Sequence, residues 1–287
     1  MSTPFSLRIF VADGDPDGLR VVERSNWIGK ALAFPRALLP RVKVRDELGQ
    51  TGVYLLLGPR EYGEGEMLYI GEGDPIRPRL ESHYAQKDFW SRAVCFVAAP
   101  GQLNKAHAQF LEANLVRLAQ AAKRLPLDNG NTPTEPTLSE ADRADMQVFL
   151  HNMLGMLPVL GVHAFEQAAP AAVAAAPMLT CRGKGVQATG YEASQGFVVK
   201  AGSLAVGESV PSMQQHVRGM YELRQELIGN GVLAADAGGY RFAQDYVFSS
   251  PSTAAAVVLG RSANGRIERK DARGRTLKEL QAQEAVG

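Results

Sequence analysis

The chain has 287 residues, a formal net charge of +1 and 45% hydrophobic residues, values typical of a globular protein with a buried core. Its two cysteines, Cys95 and Cys181, lie too far apart in sequence to predict a disulfide framework or a zinc site. The N-terminus lacks a secretory signal pattern, and no apolar run approaches the ~18 residues of a membrane-spanning helix. We therefore expect a cytoplasmic protein with no membrane partner.

The first half of the chain predicts a small mixed domain. Residues 5–24 have the pattern of a β-hairpin with a turn at GDPDG, and a second hairpin is predicted from Thr51 to Asp74. A helix follows Pro75, a further strand is predicted at RAVCFVAAP, and Asn104 is a good N-cap for a long helix. Residues 1–48 either extend the sheet of this domain or stand apart from it.

The second half contains a helix, a linker and another domain. Ser139 and Asp142 predict a capping box at the start of the helix. The Ala- and Pro-rich segment 166–177 has too little bulky apolar surface to pack, and therefore predicts a linker. We predict an α+β (mixed α/β) fold in four regions: an N-terminal extension (1–48), a small sheet flanked by helices (49–131), a helix and linker (132–194), and a separate C-terminal α+β domain (195–287).

Basic residues are concentrated in two segments of the chain. Residues 19–45 contain seven Lys or Arg against one acidic residue, and residues 261–278 contain seven against two. Separated basic surfaces suit a polyanionic partner, although an ordinary solvated face produces the same pattern.

Two tyrosines of the second hairpin are candidate site residues. Because side chains alternate along a strand, Tyr54 points away from its aliphatic neighbours, and so does Tyr69. One hairpin register places both tyrosines on the same face. Arg79 and His83 are neighbours at i and i+4 on the following helix. Glu112 falls at the margin of the apolar stripe of the long helix, where its carboxylate can reach water or a metal.

This ordered set resembles the GIY-YIG nuclease family over about residues 50–131. Gly52-Val53-Tyr54 matches the first motif with Val for Ile, and Tyr69-Ile70-Gly71 matches the second. The resemblance implies hydrolysis of phosphodiester bonds with Mg²⁺ or Mn²⁺. It implies a metal ligand at Glu112 and close backbone approach to the scissile group at Gly71. The catalytic residues that it implies are Tyr54, Tyr69, Arg79, His83, Glu112 and Asn129, with Asn131 as the alternative to Asn129.

The chain departs from the family pattern within the hairpin. The stretch between the two motifs, residues 55–68, is longer than usual, and Glu72 stands where many members carry Lys. An acidic residue there repels phosphate unless it points away or joins the metal site.

Residues 195–283 resemble a C-terminal domain of unknown function that accompanies such nucleases. The similarity lies in GFVVKAGS (196–203), in residues 248–266 and in GRTLKEL (274–280). Ser249, Ser250 and Ser252 either bind a phosphate at a helix start or cap that helix. The basic residues that suit a DNA backbone are Arg261, Arg266, Arg269, Lys270 and Arg273.

Together these features predict a metal-dependent endonuclease that acts on DNA, or on RNA, with genome defence or DNA processing as natural settings and a homodimer as one possible state. The alternative is a GIY-YIG-fold nucleic-acid-binding module without catalysis, or an interaction adaptor. A competent site requires the Tyr54, Tyr69, Arg79 and Glu112 side chains to converge on one cleft.

Overall fold

The computed structural model describes residues 4–60, 65–167 and 177–284. The chain divides into two compact units, Met1–Phe165 and Glu166–Gly287. Each combines antiparallel sheets with helices, so the predicted α+β class is confirmed. Most of the predicted linker (168–176) and the tip of the second hairpin (61–64) lie outside the described residues. Within the described ranges, no helix has both the length and the apolar character needed to cross a membrane.

The first unit is built on one antiparallel sheet. Its strands are β1 (Leu7–Val11), β2 (Arg20–Arg24), β3 (Gly29–Pro35), β4 (Gly52–Pro59), β5 (Glu66–Gly73) and β6 (Arg92–Ala98). Its helices are α1 (Leu39–Val42), α2 (Arg77–Gln86), α3 (Lys105–Ala122) and α4 (Glu140–Met156). The spatial order β1-β2-β3-β6-β4-β5 makes β5 an edge strand.

The N-terminal strands extend this sheet. β3 pairs with β6 from Gly29 opposite Ala98 to Pro35 opposite Arg92, and β2 and β1 follow outward. Residues 31–34 of β3 are buried, and buried backbone groups need hydrogen-bond partners. Of the two arrangements left open for residues 1–48, the structure therefore has the sheet extension.

Strand β4 is buried on both faces of the sheet and separates two apolar layers. Val53, Leu55 and Leu57 belong to the layer that includes residues of α3 and α4. Tyr54 and Leu56 point to the opposite layer, together with residues of α1 and α2. The alternation of a strand thus directs Tyr54 toward α2.

Both predicted N-caps in this unit are confirmed. The Asn104 side chain accepts the His107 backbone N–H at 2.9 Å and starts α3. The Ser139 hydroxyl accepts the Asp142 backbone N–H at 3.1 Å and starts α4. The Asp142 carboxylate accepts a hydrogen bond from the Ser139 hydroxyl at 2.7 Å. In a full capping box this carboxylate would instead accept the backbone N–H of Ser139. Each cap stabilises its helix by about 1 kcal/mol.

The second unit contains two antiparallel sheets around a buried helix. Its strands are β7 (Leu179–Gly183), β8 (Val186–Ala193), β9 (Gly196–Val199), β10 (Leu204–Val206), β11 (Leu233–Asp236), β12 (Gly239–Phe242), β13 (Tyr246–Phe248) and β14 (Arg269–Lys270). Its helices are α5 (Pro211–His216), α6 (Arg218–Gly229), α7 (Pro251–Leu259), α8 (Gly265–Glu268) and α9 (Leu277–Glu284). The sheet orders are β13-β9-β8-β7-β14 and β10-β12-β11. Helix α7 is apolar and buried from Ala254 to Leu259, as expected of a helix inside a core.

The second unit begins earlier than the predicted boundary at residue 195. That boundary falls between β8 and β9, which pair with Tyr191 opposite Val198. β7 in turn pairs with β8. A domain that started at 195 would lose two strands of its sheet, and the contacts divide the chain at Glu166 instead.

Candidate active site

The register of the β4–β5 hairpin places both tyrosines on one face of the sheet, as predicted. Tyr54 lies opposite Gly71, and Tyr69 lies opposite Leu56. The two rings are therefore diagonal neighbours, with centroids 6.3 Å apart. Tyr54 is fully buried and Tyr69 is half-buried.

Gly71 leaves the space that the Tyr54 ring occupies. A Cβ atom built at Gly71 would lie 2.5 Å from both Cζ and the hydroxyl oxygen of Tyr54. Such a contact is far shorter than a van der Waals distance. The absence of a side chain at Gly71 therefore determines where the Tyr54 hydroxyl lies, in addition to the backbone approach that the resemblance implies.

Helix α2 places His83 against both tyrosines. His83 Nε2 lies 2.9 Å from the Tyr54 hydroxyl, and the His83 and Tyr69 rings meet edge-on with centroids 4.7 Å apart. Burial, together with the charges of Arg79 and Lys87, lowers the pKa of His83 to about 4, and the charge of Asp128 opposes this shift. The imidazole is therefore neutral at pH 7, with one ring nitrogen as donor and the other as acceptor.

Arg79 lies one helical turn before His83 and also reaches the Tyr54 hydroxyl. Burial raises the pKa of Tyr54 well above that of an ordinary phenol and the nearby Tyr69 adds to this, whereas the Arg79 charge and hydrogen bond oppose it. Tyr54 is thus a neutral phenol at pH 7. Because Arg79 can only donate, the Tyr54 oxygen accepts from Arg79 and its own proton is available to His83 Nε2.

Glu112 on α3 interacts with Glu72, the β5 residue that follows Gly71. Burial and the charge of Glu72 together raise the pKa of Glu112 to about 7, against the opposing effects of the Arg79 charge and of hydrogen bonding from the Glu72 backbone. The carboxyl group is therefore close to half ionised at neutral pH.

The Arg79 charge acts on both parts of this cluster. It lowers the pKa of Tyr54 on one side and of Glu112 on the other, and its own pKa is raised chiefly by Tyr54, with Tyr69 and Glu72 contributing. The structure thus brings together five of the predicted site residues, Tyr54, Tyr69, Arg79, His83 and Glu112. The β4–β5 hairpin, which carries one tyrosine on each strand, and a helix at each face of the sheet assemble them.

Asn129, which is predicted to be catalytic, hydrogen-bonds the backbone of β5. Its Oδ1 accepts the Ile70 N–H at 3.0 Å, and its Nδ2 donates to the Ile70 carbonyl at 2.7 Å. These are the two hydrogen bonds that a neighbouring strand would supply at the open edge of β5. Asn131, the alternative, is exposed. Asn129 therefore fixes the backbone between Tyr69 and Gly71.

Lys87 is a site neighbour that the sequence reasoning missed. Its ammonium lies 4.8 Å from the centroid of the Tyr69 ring and forms an ion pair with Asp128 at 2.5 Å. The signal was present in the spacing, because Arg79, His83 and Lys87 follow one another at intervals of four residues. Extending the predicted helix face by one turn would have found it.

The predicted DNA-contacting residues of the second unit differ in their environment. Arg261 is paired with Glu268 at 2.7 Å. Arg266 is exposed and donates to Gln281 at 2.8 Å, and Lys270 and Arg273 are also exposed. Arg269 departs from the prediction. Arg269 lies opposite Cys181 where β14 pairs with β7. Its side chain is fully buried, and its guanidinium carbon lies 3.9 Å from the centroid of the Phe197 ring. Arg269 is therefore not part of the surface.

Two of the three serines at the start of α7, Ser250 and Ser252, have structural partners. The Ser250 hydroxyl accepts the Thr253 N–H at 3.1 Å, which is an N-cap, and the Ser252 hydroxyl accepts the Gly265 N–H at 3.1 Å. Of the two predicted roles, capping is therefore the one with observed contacts.

The site residues fit a hard divalent cation. Across the described ranges, no group of three or more His, Cys, Asp or Glu side chains could hold a metal ion, so a cation here would have few protein ligands. Mg²⁺ commonly takes one or two carboxylates and keeps several waters. Glu112 offers a carboxylate, and Glu72 Oε2 is buried without a hydrogen-bond partner in the part of the chain that the structure describes.

Glu112→Gln is expected to stabilise the metal-free protein at pH 8 but not at pH 4. The folded-state pKa of about 7 lies above the usual 4.5, so the contribution of the protonated group to stability is full below pH 4.5. It is lost as the pH rises through 7. The predicted gain in the free energy of unfolding at pH 8 is on the order of 2 kcal/mol.

Urea unfolding of the full chain in EDTA at several pH values measures this gain. Glu140→Gln, which removes an exposed carboxylate at the start of α4, is the control and should show no comparable pH dependence. A Glu112→Gln effect that is constant from pH 4 to pH 8 would contradict the prediction.

One family model matches the chain, over residues 179–281, and its description is a domain of unknown function (DUF4357). This confirms the predicted C-terminal domain of unknown function and begins at the first residue of β7. No GIY-YIG family model matches residues 50–131. No curated protein and no solved structure matches the chain. Over residues 179–281, the second unit is therefore similar to the domain of unknown function DUF4357.

Proposed function

We propose that the first unit is a divalent-metal-dependent endonuclease that hydrolyses phosphodiester bonds in DNA. The observation that supports this most is the joint position of the hydrogen-bonded pair Tyr54–His83, the Arg79 guanidinium and the Glu112 carboxylate at one end of β5. The same set of residue types gives residues 50–131 their resemblance to the GIY-YIG nucleases. Each of these residues has a role that follows from its surroundings.

Tyr54 and His83 form a proton relay to the attacking water. Burial keeps Tyr54 protonated, so a stable phenolate is not the base. The Tyr54 oxygen instead takes a proton from water while the Tyr54 proton passes over 2.9 Å to Nε2 of the neutral His83. Positioned proton transfer of this kind contributes about 10²–10⁴-fold to a rate.

The bond changes balance around this relay. The water oxygen forms a bond to phosphorus as it loses its proton, and the bond from phosphorus to the leaving oxygen breaks. The leaving oxyanion takes a proton from solvent and departs as the alcohol, and the proton held by His83 is released to solvent. Because the His83 pKa is low, the imidazolium loses this proton at neutral pH, which restores the neutral ring.

Arg79 binds the phosphate. It is exposed on α2 although its guanidinium reaches the Tyr54 hydroxyl, so it is accessible to a ligand. Its planar donors match phosphate oxygens, and their charge stabilises the negative charge that builds in the transition state.

Glu112 would hold Mg²⁺ or Mn²⁺ at the other side of Arg79. When bound, such an ion polarises a phosphate oxygen and stabilises the leaving oxyanion. Burial raises the pKa of Glu112 more than the Arg79 charge lowers it, so a bound cation would stabilise the ionised carboxylate.

The second unit supplies affinity or target choice in this proposal. Arg266, Lys270 and Arg273 are its exposed basic residues among those predicted to contact DNA. Contacts of lysine and arginine with phosphates carry no base information but fix the position of a duplex. A homodimer would allow two strands to be cut, since one site cuts one strand, and RNA offers the same phosphodiester chemistry.

Cleavage of supercoiled plasmid, labelled single-stranded DNA and labelled RNA in Mg²⁺ or Mn²⁺ tests the proposal. Wild type should cut in metal and stop in EDTA, and Glu112→Ala should be slower by at least a hundredfold, since a metal supplies several kcal/mol of transition-state stabilisation. Glu140→Ala should cut like wild type. A folded wild type that binds DNA without cutting any substrate in either metal would instead support the nucleic-acid-binding module.

A further inference from the structure

Strand β1 forms the edge of the sheet at the end opposite β5. Among the described residues it pairs with β2 on one side and with no strand on the other. The β5 edge differs, because Leu68 donates its backbone N–H to the Pro126 carbonyl at 3.0 Å and its carbonyl accepts the Asp128 N–H at 2.8 Å. One edge of the sheet thus has backbone partners beyond its last strand, whereas the described chain supplies none at β1.

Hydrogen bonds at the two ends of β1 define which of its backbone groups point outward. The Ser6 carbonyl accepts the Ser25 N–H at 3.0 Å, and the Ala12 N–H donates to the Leu19 carbonyl at 2.9 Å. In an antiparallel pair, residues that bond the neighbouring strand alternate with residues that do not. Even-numbered residues of β1 therefore face β2, and the N–H and C=O groups of its odd-numbered residues point away from the sheet.

The outward backbone groups belong to Leu7, Ile9 and Val11. Within the described residues, the one partner that they have is the Gly14 N–H, which donates to the Val11 carbonyl at 3.4 Å. A row of unpaired N–H and C=O groups is a template for another strand, and proteins commonly block it with lysine, proline or a bulge. The sequence of β1, LRIFV, has no lysine or proline, and its register with β2 is uninterrupted. This edge is therefore open to a further strand.

β1 also exposes large apolar side chains on both faces of the sheet. Ile9 is 47% exposed and lies opposite Val22, whose side chain belongs to the layer of α3 and α4. Phe10 is 57% exposed and lies opposite Val21, in the layer of α1 and α2. Arg8, the one charged residue of the strand, shares the face of Phe10. Exposed apolar area beside an open edge is typical of an interaction surface.

We propose that β1 pairs with β1 of a second copy of this chain, antiparallel and around a two-fold axis at Ile9. Ile9 then lies opposite its own copy, and Leu7 lies opposite Val11. Outward-pointing residues meet outward-pointing residues, so their free backbone groups bond one another. The two sheets join into one, and the same surface serves both copies, which closes the dimer.

The side chains of β1 select this register and favour a second copy as the partner. Each Arg8 lies opposite Phe10 of the other copy, where the guanidinium can stack on the ring. The apolar stripe that includes Ile9 continues across the junction. Moving the axis to residue 8 would place the two Arg8 side chains directly opposite each other, which is destabilising. Moving it to residue 10 would place Leu7 opposite Asp13.

Sedimentation velocity of the full chain, without metal or nucleic acid, tests the pairing. A strand of five residues buries less area than a standard interface, so the protein is measured from about 1 to 200 µM. Wild type should pass from monomer to dimer over this range. Ile9→Arg places two charges opposite each other and should weaken dimerisation at least about tenfold. Ile28→Arg makes the same change at an isoleucine that is 55% exposed outside β1 and should dimerise like wild type.

Cross-linking of Ile9→Cys tests the register. Directly opposed residues in an antiparallel pair have Cα atoms about 5.5 Å apart, within the range of a disulfide. Oxidised glutathione should therefore link most of the Ile9→Cys dimer, whereas Ile28→Cys should remain unlinked. The native Cys95 and Cys181 are buried and should not contribute. Circular dichroism checks that each variant is folded.

These measurements can overturn the pairing without reference to catalysis. A wild type that is monomeric at every concentration contradicts it, and so does an Ile9→Arg variant that dimerises like wild type. If dimers form but Ile9→Cys is not linked, the two-fold register at Ile9 is wrong. A dimer that meets these expectations stands even if the protein cuts no nucleic acid, because the pairing does not depend on the proposed function.

Discussion

Tyr54→Phe is expected to slow DNA cleavage by about 10²–10⁴-fold, the range for loss of positioned proton transfer. The substitution removes only the hydroxyl that lies 2.9 Å from His83 Nε2 and that accepts from Arg79. Without this oxygen the relay from water to imidazole has no middle member. The aromatic ring, which is buried against α2, is retained and keeps its packing.

The fold should survive this change with a modest loss of stability. His83 Nε2 loses its partner in a buried site, which costs about 1–3 kcal/mol. Tyr84→Phe is the matched control because it removes the hydroxyl of an exposed tyrosine on α2, the helix that carries His83. Initial rates in Mg²⁺ and Mn²⁺, together with thermal unfolding, measure both effects. Cleavage by Tyr54→Phe within threefold of wild type would exclude Tyr54 from the chemistry.

Gly71→Ala is expected to reduce cleavage about a hundredfold and to destabilise the protein by about 1–3 kcal/mol. The new methyl group would lie 2.5 Å from the Tyr54 ring and hydroxyl, so one of them has to move. Overpacking of a filled core has this cost. A displacement of about 1 Å in a reacting group is enough for the predicted loss of rate.

Gly130→Ala is the control for this glycine. A Cβ atom at Gly130 meets nothing within 4 Å, so both stability and activity should stay near those of wild type. Urea unfolding and cleavage rates are compared for the two variants. If Gly71→Ala is destabilised but cuts at the wild-type rate, the position of the Tyr54 hydroxyl does not matter for the reaction.

The site was predictable to the extent that its residues are set by local periodicity. The i and i+4 spacing of Arg79 and His83 requires only that α2 be a helix, and the shared face of Tyr54 and Tyr69 requires only a hairpin of the right register. Glu112 was found from the edge of an apolar stripe. These relations hold within one element or one hairpin, so short-range pattern is enough to predict them.

Other features depended on pairings between distant segments. Asn129 serves as a surrogate strand because β5 is an edge strand, and strand order cannot be read from local pattern. Arg269 is buried because β14 pairs with β7, although its sequence neighbourhood is basic and polar. The pKa of His83 and that of Glu112 follow from burial, which only the packed structure defines.

Local sequence patterns were sufficient for the α+β class, for the helix caps at Asn104, Ser139 and Ser250, and for the shared face of Tyr54 and Tyr69. Tertiary structure alone decided that β1, β2 and β3 join the sheet, and that one oxygen of the Glu72 carboxylate has no hydrogen-bond partner among the described residues. The reason is physical. Caps and side-chain alternation are set by dihedral angles within a few residues, whereas strand order, burial and charge environment arise only when segments far apart in sequence pack together.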